Sequence, residues 1–221
     1  MMKVKECIET RKSIRSFKSD PVSKELIFEA IKTAQRAASY KNSQPWEVAV
    51  VAGKKKDEIS AKLLELLSEN KPIAPDIEKA SYWPKEIQDR IDENLKERNE
   101  FFGLSSNEPD SFIKSKRSNY KFFNAPCVLF FYQDALLNEW SIFDMGSFIQ
   151  TLMYALWNSG IGSVPQAYLI DYSKEVKKIL EIPEGKRLIL GLSIGYPDTE
   201  NKRNQFKTSR ANIEEIVRWY E

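Results

Sequence analysis

A cluster of cationic residues around a hydroxyl follows the first predicted helix of the sequence. The cluster consists of Arg11, Lys12, Ser13 and Arg15. Guanidinium groups bind phosphate through paired, charge-assisted hydrogen bonds, each contributing about 1.5–3 kcal/mol when shielded from water. A plainer role also fits, because basic residues in the last turn of a helix interact favourably with its dipole. These residues alone therefore leave an anion site and a helix end as alternatives.

A second candidate segment is the turn from residue 37 to residue 46, between a predicted helix and a predicted strand. It combines small residues and side-chain amides, among them Ala38, Ser39, Tyr40 and Asn42. Amides and exposed backbone can satisfy the donors and acceptors of a flat heterocycle, while small residues permit close approach. An ordinary connecting loop that ends at a proline has much the same composition, so this segment alone is weak evidence for a ligand site.

A third segment, residues 160–168, follows a long apolar helix and contains two glycines and a proline. Such a segment can expose its backbone toward a ligand, with Pro165, Gln166 and Ala167 at the centre. It is not a dinucleotide fingerprint, because it lacks the GxGxxG spacing and no strand precedes it. Two glycines after a helix also serve simply as a helix C-cap.

A fourth segment, residues 204–210, lies close to the end of the chain. It is basic and includes Lys207 and Arg210. By itself it is typical of a solvated tail, and its cations gain a function only if the fold brings them to the other three segments.

The sequence contains no histidine. This excludes Ser-His-Asp and Cys-His catalysis as well as His-ligated zinc. The two cysteines, Cys7 and Cys127, are far apart, whereas a structural zinc or iron–sulfur site needs convergent thiolates or imidazoles. We therefore expect no metal and no catalytic side chain, and we assign the chemistry to an organic cofactor.

The composition indicates an ordinary globular protein. Its 221 residues are 42% apolar and 30% charged, with a formal net charge of +2, which gives nucleic-acid binding no support. Isolated cysteines and the lack of an apolar leader favour the reducing cytoplasm. The most apolar stretch, Trp140 to Gly160, is interrupted by polar residues, so a helix buried in protein explains it better than a membrane span.

The elements that must position these segments alternate loosely between helices and strands. Residues 71–120 differ in composition from the rest and predict a helical excursion with a polar linker at 103–111. Residues from about 200 to 221 form a C-terminal extension, and residues 1–221 as a whole are predicted to be a single domain. The pattern supports a three-layer α/β or α+β arrangement without fixing the strand order. Helices are predicted near 4–11, after Ser23, at 57–69 and at 141–159, and strands near 46–52, 126–134 and 186–195.

In their order and at these intervals, the four segments resemble the nitroreductase family of FMN flavoproteins over nearly the whole chain. The family's RRSxRxF-like motif is matched by Arg11, Lys12, Ser13, Arg15 and Phe17, with lysine replacing the second arginine.

The family's small-residue loop ending in NxQPW is also present. Ser39, Asn42, Gln44, Pro45 and Trp46 match it, whereas Tyr40 and Lys41 are individual to this chain. The excursion and the stretch NYKFFNAPCVLFF are similar to the subgroup called nitrobenzoate reductases.

The resemblance implies an α+β fold of three layers, α/β/α, with a mixed central sheet flanked by helices and the excursion as a lid. It implies a homodimer with FMN at the interface, where the first motif and a late arginine bind phosphate. The loop from the partner and the backbone after the core helix contact the ring. The implied cofactor-binding residues are Arg11, Lys12, Ser13, Arg15, Ala38, Ser39, Tyr40, Asn42, Pro165, Gln166, Ala167, Lys207 and Arg210.

The reaction that the resemblance implies is hydride transfer from NADH or NADPH to N5 of FMN, and then to an electron-poor small molecule such as a nitroaromatic or a quinone. Arg11 and Arg210 would neutralise the phosphate, while Arg15 near N1 would stabilise the reduced flavin. Two alternatives stay open. One is a different flavin chemistry on the same scaffold, such as reductive dehalogenation, dehydrogenation or flavin breakdown. The other is a flavin-binding protein without turnover.

Overall fold

A computed structural model describes residues 2–104 and 111–221 of the chain. The polar linker predicted at 103–111 lies mostly outside the described residues. In chain order the elements are α1 (Val4–Thr10), α2 (Lys24–Ala34), β1 (Glu47–Ala52), α3 (Gly53–Ser68), α4 (Lys85–Phe102), α5 (Ser111–Tyr120), β2 (Cys127–Asp134), α6 (Glu139–Asn158), β3 (Gly162–Gln166), α7 (Ser173–Leu180), β4 (Lys186–Gly195) and α8 (Ile213–Ile216).

A four-stranded sheet with the order β1-β2-β4-β3 lies at the centre. All neighbouring strands in it are antiparallel. The prediction of a mixed sheet is therefore wrong for the named strands. The reason is the position of β4. β2 and β3 run in the same direction and are linked through α6, but β4 lies between them and pairs antiparallel with both.

The side chains of β2 alternate between two hydrophobic cores. Val128 and Phe130 enter a core that α3, α5 and α7 cover, whereas Leu129 and Phe131 enter a core that α2 and α6 cover. Full burial of each such side chain contributes about 1.5–3 kcal/mol. This alternation confirms the three-layer α/β/α arrangement of an α+β protein.

The helix ends follow the predicted signals. Ser23 caps α2, because its Oγ accepts a hydrogen bond of 3.2 Å from the backbone N–H of Leu26. α4 ends at Gly103 and α6 is followed by Gly160, both with left-handed backbone, at φ values of 65° and 76°. The short helix α7 was not predicted. None of the helices in the described ranges, α6 included, is long and apolar enough to cross a membrane.

The excursion is attached to the core through Asp171, a carboxylate that is fully buried. Asp171 accepts a hydrogen bond of 2.7 Å from the Tyr120 hydroxyl and forms ion pairs with Lys79 and with Lys116, the latter at 3.6 Å. Burial and the neighbouring carboxylate raise the pKa of Tyr120, which therefore stays a hydrogen-bond donor. Both ends of the excursion are thus tied to one buried acid.

Candidate active site

The N-terminal segment that follows α1 runs along the free edge of β3. The backbone N–H of Ile14 donates to the carbonyl oxygen of Ser163 at 3.0 Å, next to a parallel bridge between Ser13 and Ser163. Gly162 permits this approach, because a Cβ at that position would lie 2.6 Å from Cγ1 of Ile14. The fold therefore places the first candidate segment directly beside the third.

Asn204 joins the fourth segment to the first. Its buried side chain accepts a hydrogen bond from the backbone N–H of Arg15 at 2.7 Å and donates to the carbonyl oxygens of Ser16 and Asp198 at 2.7 and 2.8 Å. Both polar atoms of the amide thus have partners, in the first segment and in the turn at Asp198. Asn204 was not predicted as a site residue, because its partner Arg15 lies 189 residues away in sequence and no local pattern indicates the contact.

Arginine side chains converge where these segments meet. Desolvation lowers the pKa of Arg11, and repulsion from Arg210 lowers it further. The pKa of Arg15 is lowered in the same way by desolvation and by Arg98 of α4, although Arg15 as a whole residue is exposed. Within residues 2–104 and 111–221, the guanidinium groups of Arg11, Arg15 and Arg98 have no hydrogen bond and no ion pair. Such an arrangement is suited to an oxyanion.

Each of the two basic segments also contains a lysine. Lys12 is half-buried and Lys207 is exposed. Arg210 is held by its own segment, since it donates hydrogen bonds to the Thr208 hydroxyl at 2.6 Å and to the Ser209 carbonyl oxygen at 2.7 Å. These contacts leave the positive charge of Arg210 without a carboxylate partner among the described residues.

Residues 160–168, predicted as an irregular loop, contain the edge strand β3. Pro165 sits in that strand because an edge position requires no N–H from it. The Gln166 side chain is buried and already satisfied, since it donates to the Asn119 carbonyl oxygen at 3.1 Å and accepts from the Ser193 hydroxyl. Pro165 and Ala167 are exposed. A ligand here would therefore meet backbone rather than the Gln166 amide.

The loop with Ala38, Ser39, Tyr40 and Asn42 packs on the beginning of α6. The backbone N–H of Tyr40 donates to Oδ2 of the buried Asp144 at 3.0 Å, and the Ser39 hydroxyl accepts from the backbone of Gln44 at 3.1 Å. Ala38, Tyr40 and Asn42 are exposed.

The backbone of the same loop is strained. Lys41, Asn42 and Gln44 have φ values of 52°, 56° and 47°, in a region that residues other than glycine seldom occupy. Strain of this kind concentrates at binding sites. The strained backbone therefore supports a ligand-binding role for this loop more strongly than its composition does.

Within one chain the loop does not meet the arginines. The loop contacts α6 at Asp144, whereas Thr10, the residue before Arg11, accepts a hydrogen bond of 3.0 Å from Nε1 of Trp157 near the other end of α6. Trp157 lies thirteen positions after Asp144 in the helix, which is about 20 Å along the axis. The structure therefore brings together the first, third and fourth predicted segments and leaves the second segment, residues 37–46, apart from them.

The described residues offer little for chemistry by side chains. They contain no group of three His, Cys, Asp or Glu residues that could hold a metal ion. Cys7 and Cys127 are free and buried, and burial raises the pKa of Cys127 to about 11, so that thiol is protonated at neutral pH. The arrangement can bind an anionic ligand along β3 and stabilise negative charge on it.

Comparisons with known proteins agree with this fold. A family model described as the nitroreductase family matches residues 8–196. The chain belongs to the nitroreductase family. The 4-nitrobenzoate reductase of Pseudomonas putida is 30% identical over 207 residues, covering 92% of this chain and 89% of that protein.

Two solved structures have nearly the same fold. The FMN-dependent nitroreductase NfnB from Mycobacterium smegmatis in complex with NADPH has a TM-score of 0.92 and 28% identity, with 98% of this chain and 97% of that chain covered. The FMN and NADPH-dependent nitroreductase NfnB from sphigopyxis sp. strain HMH has a TM-score of 0.95 and 25% identity, with both chains covered completely.

Proposed function

We propose that this protein is an FMN-dependent oxidoreductase that takes hydride from NADH or NADPH and reduces an electron-poor small molecule such as a nitroaromatic or a quinone. The observation that carries the proposal is that Arg11, Arg15 and Arg210 belong to segments that the fold brings together beside β3, and that none of the three has a carboxylate partner among the described residues. The two similar structures support these cofactors, because one is of an FMN-dependent nitroreductase in complex with NADPH and the other is of an FMN and NADPH-dependent nitroreductase.

The residues present fit the proposed cofactor. Arg11 and Arg210, assisted by Lys12, Ser13 and Lys207, would hold the phosphate, because guanidinium groups match phosphate geometry and here have no competing acid among the described residues. When bound, FMN supplies two-electron hydride chemistry that no amino-acid side chain can provide.

Two further parts of the chain would contact the flavin ring. Arg15 would stabilise negative charge on the pyrimidine side of the ring, which selectively favours the reduced form. The backbone of Pro165, Gln166 and Ala167 would line one ring edge, in keeping with a Gln166 side chain that is already bonded within the protein. These side chains bind and orient, and no catalytic residue is assigned.

We further propose that the active form is a homodimer. The strained loop at Ala38 to Asn42 is about 20 Å along α6 from the arginine segment, so a partner copy is the natural source of that loop at each site. Trp140 and Phe143 on α6 are 63% and 68% exposed, and Trp219 near the C-terminus is 81% exposed. Large apolar side chains such as these are seldom so exposed in a monomer, whereas a dimer interface would cover them.

The dimer proposal is tested by Phe143→Asp, which puts a charge on the exposed apolar face of α6. Light scattering after size exclusion is expected to show a dimer for the unaltered protein and a monomer with reduced FMN content for the variant. Lys174→Asp, on α7 in the opposite layer, is the control and is expected to leave the dimer intact. A monomeric unaltered protein that retains full FMN would contradict this arrangement.

We also propose that residues 1–221 act as one unit in the cytoplasm, with residues 71–120 forming a lid. The attachment of both ends of the excursion to Asp171 supports a common unit. The free, buried thiols and the use of a reduced nicotinamide donor support a reducing compartment.

Reductive dehalogenation is a second candidate function. The iodotyrosine deiodinase of Thermotoga neapolitana is 27% identical over 188 residues, covering 85% of each chain. Both reactions would need the same flavin and differ in the acceptor that the excursion admits. Comparing 4-nitrobenzoate with 3-iodotyrosine as oxidant of the reduced protein distinguishes them.

The proposed reaction is tested with the purified holoprotein under anaerobic conditions. Addition of NADH or NADPH is expected to bleach the flavin absorbance, and later addition of a nitroaromatic is expected to restore it. A protein that binds FMN but is not reduced by either nucleotide is a carrier rather than a reductase. A protein that does not bind FMN at all would contradict the proposal as a whole.

A further inference from the structure

The buried side chain of Gln166, the last residue of β3, joins the sheet to the excursion. Its Nε2 donates two hydrogen bonds of 3.1 Å to Asn119 of α5, one to the backbone carbonyl oxygen and one to Oδ1. Its Oε1 accepts from the hydroxyl of Ser193, a fully buried residue of β4. Asn119 is oriented in turn, because its Nδ2 donates to the Ser115 carbonyl oxygen at 2.9 Å. Both ends of the Gln166 amide are therefore held, and its orientation is fixed.

Tyr168, two residues further along the chain, is also held by the excursion. Nζ of Lys79 lies 4.2 Å from the centre of the Tyr168 ring, and the ring of Phe112 meets it edge-on with centroids 6.5 Å apart. Gln166 and Tyr168 flank Ala167. Side chains of the excursion thus hold the backbone on both sides of Ala167.

The backbone N–H of Ala167 faces the free edge of β3. Backbone groups of alternate strand residues point to the same edge, and Ser163 marks this edge because its carbonyl oxygen accepts from Ile14. Pro165, the next residue at the edge, has no N–H. Gln166 keeps an extended backbone, at φ −136° and ψ 98°, so the alternation continues to Ala167. The N–H of Ala167 is therefore the first donor that this edge offers beyond the N-terminal segment.

We propose that Gln166 is a positioning residue whose anchored side chain aligns the backbone N–H of Ala167 with N5 of the flavin ring. The inference rests on the proposed function, in which this backbone lines one ring edge and Arg15 serves the pyrimidine side. Ile14, the neighbour of Arg15, bonds to Ser163, which lies four residues before Ala167, or about 13 Å along the strand. That separation assigns Ala167 to the ring edge that Arg15 does not reach, where N5 of the oxidised flavin accepts a hydrogen bond.

The side chain of Gln166 lies where an apolar residue would be expected. It shares a face of β3 with Val164, which enters the core that α3, α5 and α7 cover. A buried amide in such a place costs free energy unless all of its groups are bonded, and what it adds over an apolar side chain is direction. Because both acceptors of Nε2 belong to Asn119, a shift of α5 is passed to the backbone of residues 165–167. The excursion therefore sets the alignment of the donor at Ala167.

Comparing FMN with 5-deaza-FMN tests the inference, because the analogue carries C–H in place of N5 and otherwise keeps the ring and the phosphate. Titration of the flavin-free, full-length protein gives both dissociation constants. The unaltered protein is expected to bind FMN about tenfold more tightly, since the analogue leaves the donor without its acceptor. Gln166→Met keeps the length of the side chain without its hydrogen bonds and is expected to bring this ratio close to one. Asn119→Ala removes one of the two acceptors of Nε2 and is expected to lower the ratio by less.

Gln133→Met is the matched control. Gln133 is a fully buried glutamine of β2 that bonds to the Ser141 hydroxyl at 2.7 Å, and β4 separates its strand from β3. The control variant is expected to lose stability in chemical denaturation, as Gln166→Met does, but to keep the ratio of the two flavin affinities. A structural role of Gln166 alone would lower stability in both variants and change the ratio in neither.

A ratio near one in the unaltered protein, an unchanged ratio in Gln166→Met, or equal falls in Gln166→Met and Gln133→Met would overturn the positioning role. If Gln166→Met does not fold, Asn119→Ala decides the question, and an unchanged ratio in that variant would overturn the role. Failure of the proposed function appears differently, as an unaltered holoprotein that is not reduced by NADH or NADPH.

Discussion

Cationic side chains gather at two places in this molecule, and the two places differ in one respect. Around Asp171, two lysines and a tyrosine surround a buried carboxylate, and each lysine is compensated by an ion pair with it. Beside β3, Arg11, Arg15 and their neighbours have no carboxylate partner among the described residues. The compensated cluster holds the excursion in place, whereas the uncompensated one is prepared for a ligand.

The comparison follows from the free energy of each cluster. A buried carboxylate such as Asp171 is tolerated only with partners in place, and removing one partner leaves another charge unpaired. Clustered arginines instead repel each other in the absence of ligand, and an anion that binds them stabilises the folded protein by mass action. A paired cluster thus indicates a structural role, and an unpaired one indicates binding.

The largest expected effect is at the compensated cluster. Asp171→Ala removes the acceptor of Tyr120 and leaves Lys79 and Lys116 without a counter-charge. We expect a loss of about 3–5 kcal/mol in the free energy of unfolding, as for other broken buried pairs. Chemical denaturation followed by circular dichroism measures this loss.

The control for that variant is Asp89→Ala, which breaks an exposed ion pair on α4. Exposed pairs contribute little, so we expect the midpoint of unfolding to stay nearly unchanged. If both variants shift the midpoint equally, the buried cluster has no special structural role. The proposed difference between a structural cluster and a binding cluster would then be wrong.

A smaller effect is expected at Asn204, which connects two segments of the binding cluster. Asn204→Ala leaves the backbone groups of Arg15, Ser16 and Asp198 without their partners, at a cost of about 1–3 kcal/mol. FMN should also dissociate faster, because the two segments lose their connection. Denaturation and the rate of flavin release measure the two effects, and Asn201→Ala, which removes only a short helix cap, is the control. Unchanged flavin release in Asn204→Ala would show that this connection does not position the site.

The smallest expected effect is the response of the melting temperature to a simple anion, which probes the arginines beside β3 alone. Inorganic phosphate is expected to raise the melting temperature of the flavin-free protein, because it relieves repulsion among the arginines. Chloride at the same ionic strength should do less, and Arg11→Ala should lose most of the phosphate effect. A melting temperature that depends on ionic strength alone would indicate screening of the whole surface rather than a built anion site.

Much of the fold could be predicted because the signals are local. β2 and β4 are continuous apolar runs, and α6 is a long apolar stretch that Gly160 ends. β3 was not predicted, because it contains glycine and proline, which seldom occur inside strands. Here they are accommodated by the edge position of β3 and by the close packing at Gly162. The antiparallel order was not predictable either, since no residue of β4 specifies that it lies between β2 and β3.

The same limit applies to the site. The basic segments at residues 11–15 and 204–210 stand out by composition, and the structure places them together as the family resemblance implies. Asn204 and Asp171 were missed as residues that hold the site and the excursion in place, because each acts through partners on other elements that are more than 50 residues away in sequence. Composition reveals charge, but only the fold reveals which charges lack a partner.

The central claim is that the uncompensated arginines bind the phosphate of the flavin, and comparing FMN with riboflavin tests it most directly. Riboflavin is the same ring system without the phosphate, so the ratio of the two dissociation constants isolates the phosphate contact. Flavin-fluorescence titration of the flavin-free protein is expected to show much tighter binding of FMN. Arg11→Ala and Arg210→Ala should each reduce the ratio by about tenfold or more. Equal affinity for FMN and riboflavin, or a ratio that neither variant changes, would contradict the account.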